Sequence, residues 1–296
     1  MKSSRRDFIA KTAACFVAPV LITTPAQSRE TIEDRIEDMW RNYYAFDPLS
    51  LAEDAGSDIF TRQVSFLGVD LKCLIDTSTS IKENEYHIQR HGIAQSLRSE
   101  QVKDAILSQG GIAFSLSEFE GSVHRRIPHA ILQSESDINL IADITDAMIP
   151  RPIRTATGMA FGIAACREDF NHQRFFADRK VMDISGDGAD NVAALGLLEN
   201  AALSVRREVA TCARQGIVCN GLVMPHDPEA ELPSTVSSLP EYYRNYVITP
   251  KGLGVEPGFL IDANAVGSFE EAMAEKLMLE IIGELPRNFV PRAIPA

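Results

Sequence analysis

Two short segments, Asp76-Thr77-Ser78-Thr79-Ser80 and Ser185-Gly186-Asp187-Gly188, carry the side chains of this chain best suited to chemistry. Their aspartates stand 111 positions apart. Carboxylates and hydroxyls together suit a hard divalent cation such as Mg²⁺, which takes six oxygens and keeps some of its waters. Each segment follows an apolar run of strand length, at 69–75 and 180–184. Both therefore put oxygen side chains at the C-terminal edge of a sheet, where open α/β folds bind ligands.

The remaining elements have to hold those two strand ends side by side. Ile32, Ile36, Trp40 and Tyr43 fall on one helical face, so 30–44 reads as an amphipathic helix, and 47–65 as a loop-rich connection. After the first strand, Tyr86, Ile93 and Leu97 mark the inward face of a helix, and Val102 and Ile106 that of a shorter one. Gly110-Gly111 interrupts the chain before a strand at 112–116, whose hairpin partner lies at 127–132. Helices at 138–148 and 158–166 precede the strand at 180–184. A long helix follows, striped by Val192, Leu195, Ala202, Val205, Val209 and Cys212, and then a strand at 217–224. Proline- and serine-rich 225–240 reads as a loop or small excursion before a last strand at 258–263. Ser268 and Glu271 form a capping box for a final helix with Phe269, Met273, Leu277 and Ile281 inward. The alternation predicts an α/β fold, a doubly wound, mostly parallel sheet flanked by helices.

With Thr155 of Thr155-Ala156-Thr157-Gly158 added between them, the two segments resemble the metal-ion-dependent adhesion site of von Willebrand factor A domains. The likeness extends over roughly 66–283. More closely, the chain is similar to a bacterial family of von Willebrand A-like proteins of unassigned function. The marks are Lys180-Val181-Met182-Asp183-Ile184-Ser185-Gly186-Asp187-Gly188, Asn220-Gly221-Leu222 and Tyr242-Tyr243-Arg244-Asn245-Tyr246-Val247-Ile248. Phe119 departs from that pattern, standing where a tryptophan is expected. The resemblance implies that Ser78, Ser80 and Thr155 coordinate through hydroxyls, and Asp76 and Asp187 directly or through water. Three neutral hydroxyls leave Mg²⁺ (or Mn²⁺ or Ca²⁺) with much of its charge, so an open position can accept a carboxylate from a protein partner.

A rival constellation comes from haloacid-dehalogenase-like phosphatases, with Asp76 as nucleophile and Gly186-Asp187-Gly188-Ala189-Asp190 as a magnesium loop. That chemistry needs a second aspartate two residues on, to protonate the leaving oxygen. Ser78 stands there and cannot do so. His87 and His91 have the i, i+4 spacing of a zinc pair, but Ile88-Gln89-Arg90 lacks the glutamate of the metalloprotease signature. Gly252, Gly254 and Gly258 follow no strand and open no helix, so they read as a loop.

The N-terminus bears on compartment. Arg5-Arg6 ahead of a modest apolar stretch at 12–22, with Thr24-Pro25-Ala26 as a cleavage site, reads as a twin-arginine secretion signal. The stretch is too short for a permanent span. Residues 1–26 carry Lys2, Arg5, Arg6 and Lys11 against Asp7, a net of +3, so the rest stands at −15 against −12 for the whole chain. Such acidity argues against nucleic acid and anionic lipid as partners. With 45% hydrophobic residues, the remainder can bury a full core. Cys73, Cys166, Cys212 and Cys219 remain after cleavage; Cys212 and Cys219 are the pair close in sequence, and buried thiols are the preferred reading. The expected organisation is a signal at 1–26, a helical extension at 27–65, the main domain at 66–285 and a tail at 286–296. The expected protein is exported, periplasmic or secreted, and binds another protein rather than catalysing a reaction.

Overall fold

The computed structural model describes residues 32–152, 154–171, 174–192, 198–226, 231–263 and 269–283. Six strands form one sheet in the order β3-β2-β1-β4-β5-β6. They are β1 (Phe66–Asp76), β2 (Ile112–Phe119), β3 (Val123–Leu132), β4 (Phe176–Gly186), β5 (Ile217–Val223) and β6 (Leu260–Asp262). Every pairing is parallel except β2 with β3, the hairpin. The order reverses beside β1, so the crevice between β1 and β4 is the switch point where ligands collect in such sheets. The register pairs Ile75 with Ser185, which aligns the ends that carry Asp76 and Asp187.

Helices cover both faces, and that is why β2 and β5 are buried along their whole length. On one face lie α3 (Glu83–Arg98), α4 (Glu100–Ser108), α5 (Glu135–Asp146) and α9 (Phe269–Ile282). Tyr86, Ile93, Leu97, Val102 and Ile106 enter the core there, with Phe269, Met273, Leu277 and Ile281. The other face carries α6 (Met159–Asp169), α7 (Leu198–Arg214), the short α8 (Leu239–Tyr242) and a π-helical turn, Tyr243–Val247. Val205, Val209 and Cys212 are buried along the α7 stripe, whereas Val192 precedes the helix and Leu195 lies outside the described residues. Ser268 of the expected capping box also lies outside them, as do the twin-arginine segment and the 286–296 tail. Among the described residues no helix is long and apolar enough to cross a membrane.

Two stretches differ from the sequence reading. The 47–65 connection contains α2 (Pro48–Asp54), started by Asp47 as N-cap with Pro48 in the first turn. The Asp47 carboxylate accepts from the Leu49 amide at 3.0 Å. The 225–240 region runs into α8 and the π-turn, in which the Ile248 amide donates to the Tyr243 carbonyl at 3.0 Å. Helix α1 (Ile32–Ala45) rests on the sheet's hairpin edge. There the Arg126 guanidinium lies over the Tyr43 ring, 4.1 Å from its centroid, and Arg151 lies 5.4 Å from the Trp40 ring.

Cys73, Cys166, Cys212 and Cys219 are buried free thiols. Beneath the sheet's active edge, Lys276 of α9 is fully buried and paired with Asp183 of β4 and, at 2.9 Å, with Glu280 one helical turn on. Asn220 of β5 donates to the same Glu280 oxygen at 3.2 Å. Burial first, and the neighbouring Asp183 charge second, push the Glu280 carboxyl up to about 7.

Candidate metal centre

Strand β1 ends on Asp76, which is fully buried. Its Oδ1 accepts from the Ser78 amide at 2.8 Å, turning the chain sharply away from the sheet. The Thr77 amide donates to the Phe119 carbonyl at 2.9 Å, tying the turn to the end of β2. Gln89, buried on α3, donates to the Asp76 carbonyl at 3.0 Å and accepts from Ser185 at 3.2 Å. One amide thereby bridges the ends of β1 and β4.

The turn brings Ser78 and Ser80 to Asp187. The Ser80 hydroxyl donates to Asp187 Oδ1 at 2.9 Å, and the Ser78 and Ser80 oxygens are 3.0 Å apart. Ser80 has one hydrogen and gives it to Asp187, so Ser78 is the donor of the shorter-range link. Ser78 is buried, Asp187 nearly so, and Ser80 lies at the open mouth.

Asp76 Oδ2 is buried and has no hydrogen-bond partner among the described residues. Burial, then repulsion from Asp187, pushes the Asp76 carboxyl up to about 8. Burial also raises Asp187, against the hydrogen bond from Ser80 that lowers it. Two crowded carboxylates, one with an oxygen unfulfilled, and two neutral hydroxyls match the donor set of a hard divalent ion. No cluster of three or more His, Cys, Asp or Glu side chains suited to a metal occurs among the described residues.

Thr155 sits apart from that chain of hydroxyls. Its carbonyl accepts from the Thr79 amide at 2.9 Å, which keeps its loop against the Ser78–Ser80 turn. Its hydroxyl donates to Glu120 Oε2 at 2.7 Å and accepts from the Gly121 amide at 2.9 Å. The Thr155 amide donates to the same carboxylate at 2.6 Å. Burial works to raise Glu120, but hydrogen bonds from His124 and Thr155, the Arg151 guanidinium and Ser122 hold it down at about 2.

Other residues of the two motifs do structural work. Asp190 Oδ2 accepts from the Ala160 amide at 2.7 Å, capping α6, whose own N-cap is Gly158. Asn191 accepts from the Thr157 amide at 2.8 Å and donates its own amide to the Thr157 carbonyl at 2.9 Å. His87 and His91 stack at 5.2 Å on the face of α3, and His91 contacts Asp146 at 3.0 Å. No motif of the sequence marks Glu120 or Gln89, and Asp190 enters only through the phosphatase-like magnesium loop, where the structure makes it a helix cap. Gln89 was readable as a polar residue in the buried row of Tyr86 and Ile93; Glu120 had no local signal.

Residues 67–285 match the sequence profile of a family described as "Protein of unknown function (DUF1194)". The chain belongs to that family. No curated protein matches the chain in sequence. Among solved structures, the pilus adhesin SpaC from Lactobacillus rhamnosus GG in its open conformation is similar in fold. Its TM-score is 0.51 at 13% identity, over 75% of this chain and 30% of SpaC. Proximal thread matrix protein 1 from the mussel byssus, in a structure with a zinc-occupied metal-ion-dependent adhesion site, gives a TM-score of 0.48. Its identity is 16%, over 74% of this chain and 48% of that one. The protein BatB from Bacteroides thetaiotaomicron gives 0.43 at 15% identity, over 73% of this chain and all of BatB. The chain spans about half the length of the byssus protein and under a third of SpaC. The DUF1194 chain thus has a von Willebrand factor A-like α/β fold, as its motifs led one to expect.

Proposed function

We propose that this protein is an exported, divalent-cation-dependent protein-binding module that captures a partner's carboxylate at the β1–β4 crevice. The observation that carries the reading is Asp76 Oδ2, buried and without a hydrogen-bond partner among the described residues, on the residue whose Oδ1 holds the turn that carries the Ser78–Ser80–Asp187 chain. A buried carboxylate oxygen left unpaired is costly, and a cation is the ligand that relieves it.

Asp76, Ser78, Ser80 and Asp187 would hold the ion, with Mg²⁺ or Mn²⁺ as the preferred occupants and Ca²⁺ as the alternative. Bound there, a divalent cation supplies an electrophile for an anionic oxygen. Thr155 can join them without leaving Glu120. Its hydrogen goes to Glu120 and one lone pair to the Gly121 amide, which leaves the second lone pair free. A carboxylate behind a ligand raises that ligand's basicity. The hydroxyls contribute no charge, so the centre stays electrophilic on an acidic chain. Screening over roughly 10 Å separates that local attraction from the long-range repulsion of an acidic partner.

No catalytic role is assigned. Ser78 occupies the position where an aspartyl-phosphatase needs its acid, and Asp190 is engaged as a helix cap. The fold shared with the adhesin SpaC supports a binding role.

The test is calorimetric. Wild-type protein should bind Mg²⁺ or Mn²⁺ with a rise in thermal midpoint by mass action, and Asp187→Ala should lose both. A wild type without measurable divalent binding would refute the proposal.

A further inference from the structure

Three marks of the family motif have no role in the binding chemistry above: the glycine of Ser185-Gly186, the glycine of Asn220-Gly221, and the tyrosine pair Tyr242-Tyr243. They meet at one place. Tyr243 is fully buried, and its ring lies across the neighbouring strands β4 and β5. A Cβ on Gly221 would come within 2.8 Å of Tyr243 Cδ1. A Cβ on Gly186 would fall 2.9 Å from Tyr243 Oη and 2.9 Å from Asp76 Oδ2. The phenol oxygen and the carboxylate oxygen therefore both border the space that a Gly186 side chain would fill.

Both oxygens are buried and neither has a hydrogen-bond partner among the described residues. Phenylalanine would fill the same space without burying an unpaired hydroxyl, so packing alone does not account for a tyrosine. Tyr242, one residue earlier, presents its own hydroxyl to the Asp190 amide at 3.2 Å. The two rings of one helical turn thus address the two halves of the site, the loop after β4 and the end of β1. Tyr242 ends α8 and Tyr243 begins the π-helical turn, a widened form that recurs at functional sites.

We propose that Tyr243 is a positioning residue for Asp76: its hydroxyl donates through one water to one lone pair of Asp76 Oδ2, leaves the other for the cation, and fixes the carboxylate plane. The inference rests on the metal-site reading. Asp76 Oδ1 is already anchored by the Ser78 amide. A second donor on Oδ2 stops the carboxylate from swinging about its terminal torsion. A phenol does this as a neutral donor, so the negative charge that attracts the ion is kept, where a lysine in the same place would cancel it. Gly186 and Gly221 are required because any side chain at either would displace the ring or the hydroxyl.

The experiment compares the full chain with Tyr243→Phe, using Mn²⁺ as the probe. Kd is read by calorimetry, the ion's symmetry by electron paramagnetic resonance, and the fold by thermal melting in EDTA. We expect a melting point in EDTA unchanged or raised, since a buried unpaired hydroxyl is removed, with a Kd weakened about 10–100-fold and an altered Mn²⁺ spectrum. Replacing Tyr243 by 4-aminophenylalanine, which restores a donor at that point, should bring Kd back toward wild type. Equal Kd and spectra in wild type and Tyr243→Phe would overturn this inference alone. Failure of the amino variant to recover binding would assign the loss to packing and overturn it too. A wild type that binds no Mn²⁺ would overturn the metal reading, and this one with it.

Discussion

Ser80 gives its hydroxyl hydrogen to Asp187 at 2.9 Å, joining the loop after β1 to the loop after β4. That bond crosses the switch point of the sheet, and it ends a chain in which Ser78 donates to Ser80 and Ser80 to the Asp187 carboxylate. Ser80→Ala should weaken Mg²⁺ binding by about tenfold or more, or about 1.4 kcal/mol. Stability in EDTA should fall by only about 0.5–1.5 kcal/mol, the worth of one ordinary hydrogen bond. Paired titration and melting separate the two effects; undiminished affinity would remove Ser80 from the ligand set.

Glu120 accepts from both the amide and the hydroxyl of Thr155 and pairs with Arg151. Its carboxyl lies at about 2 against an ordinary 4.5, so its stabilisation is complete above about pH 4.5 and is lost as pH falls toward 2. Glu120→Gln should cost about 1.5–3 kcal/mol at pH 7, the range for hydrogen bonds to a charged group. Urea denaturation from pH 2 to 7 should show a shallower acid limb for the variant than for wild type. Identical limbs would mean that the Thr155 loop holds without this carboxylate.

Lys276 is the sole cation pairing with Asp183 and Glu280 among the described ion pairs. Lys276→Met should therefore destabilise by about 3–5 kcal/mol, because two buried carboxylates lose their counter-charge. Glu280 behaves in the opposite sense. Its folded value of about 7 exceeds the ordinary 4.5, so the folded state favours the protonated form. Stability then declines as pH rises from about 4.5 to 7, at up to about 1.4 kcal/mol per pH unit. Glu280→Gln should flatten that decline and stabilise the protein above pH 7. Melting points at pH 5 and 8 decide it; a variant that tracks wild type at both would sink the claim.

The proposed export rests on residues outside the described structure. Replacing Arg5-Arg6 by Lys-Lys should hold the precursor inside the cell if the twin-arginine route carries it. Fractionation and blotting give the answer, and an unchanged periplasmic yield would exclude that route.

The helix stripes of Tyr86, Ile93 and Leu97 and of Val205, Val209 and Cys212 were legible because burial repeats with the period of a helix, a local property. The strand ends at Asp76 and Asp187 were legible for a similar reason, since an apolar run that stops on oxygen side chains marks its own edge. The short helix Pro48–Asp54 has its own local start signal in Asp47-Pro48, a cap followed by a first-turn proline, within a stretch whose composition reads as loop.

By itself the sequence determined the succession of strands and helices, the parallel sheet, and two strand ends that stop on an Asp-x-Ser-x-Ser turn and a Gly-Asp-Gly loop. These depend on periodicity and on residues near one another in the chain. Only the tertiary structure decided that the Thr155 hydroxyl donates to Glu120, that Asp190 caps α6, and that Tyr243 and Asp76 both lie against Gly186. Each of those is a contact between distant segments, set by how strand ends and loops stack at one edge of the sheet. A lone glutamate or tyrosine gives no local sign of which carboxylate or hydroxyl the packed edge will bring within reach.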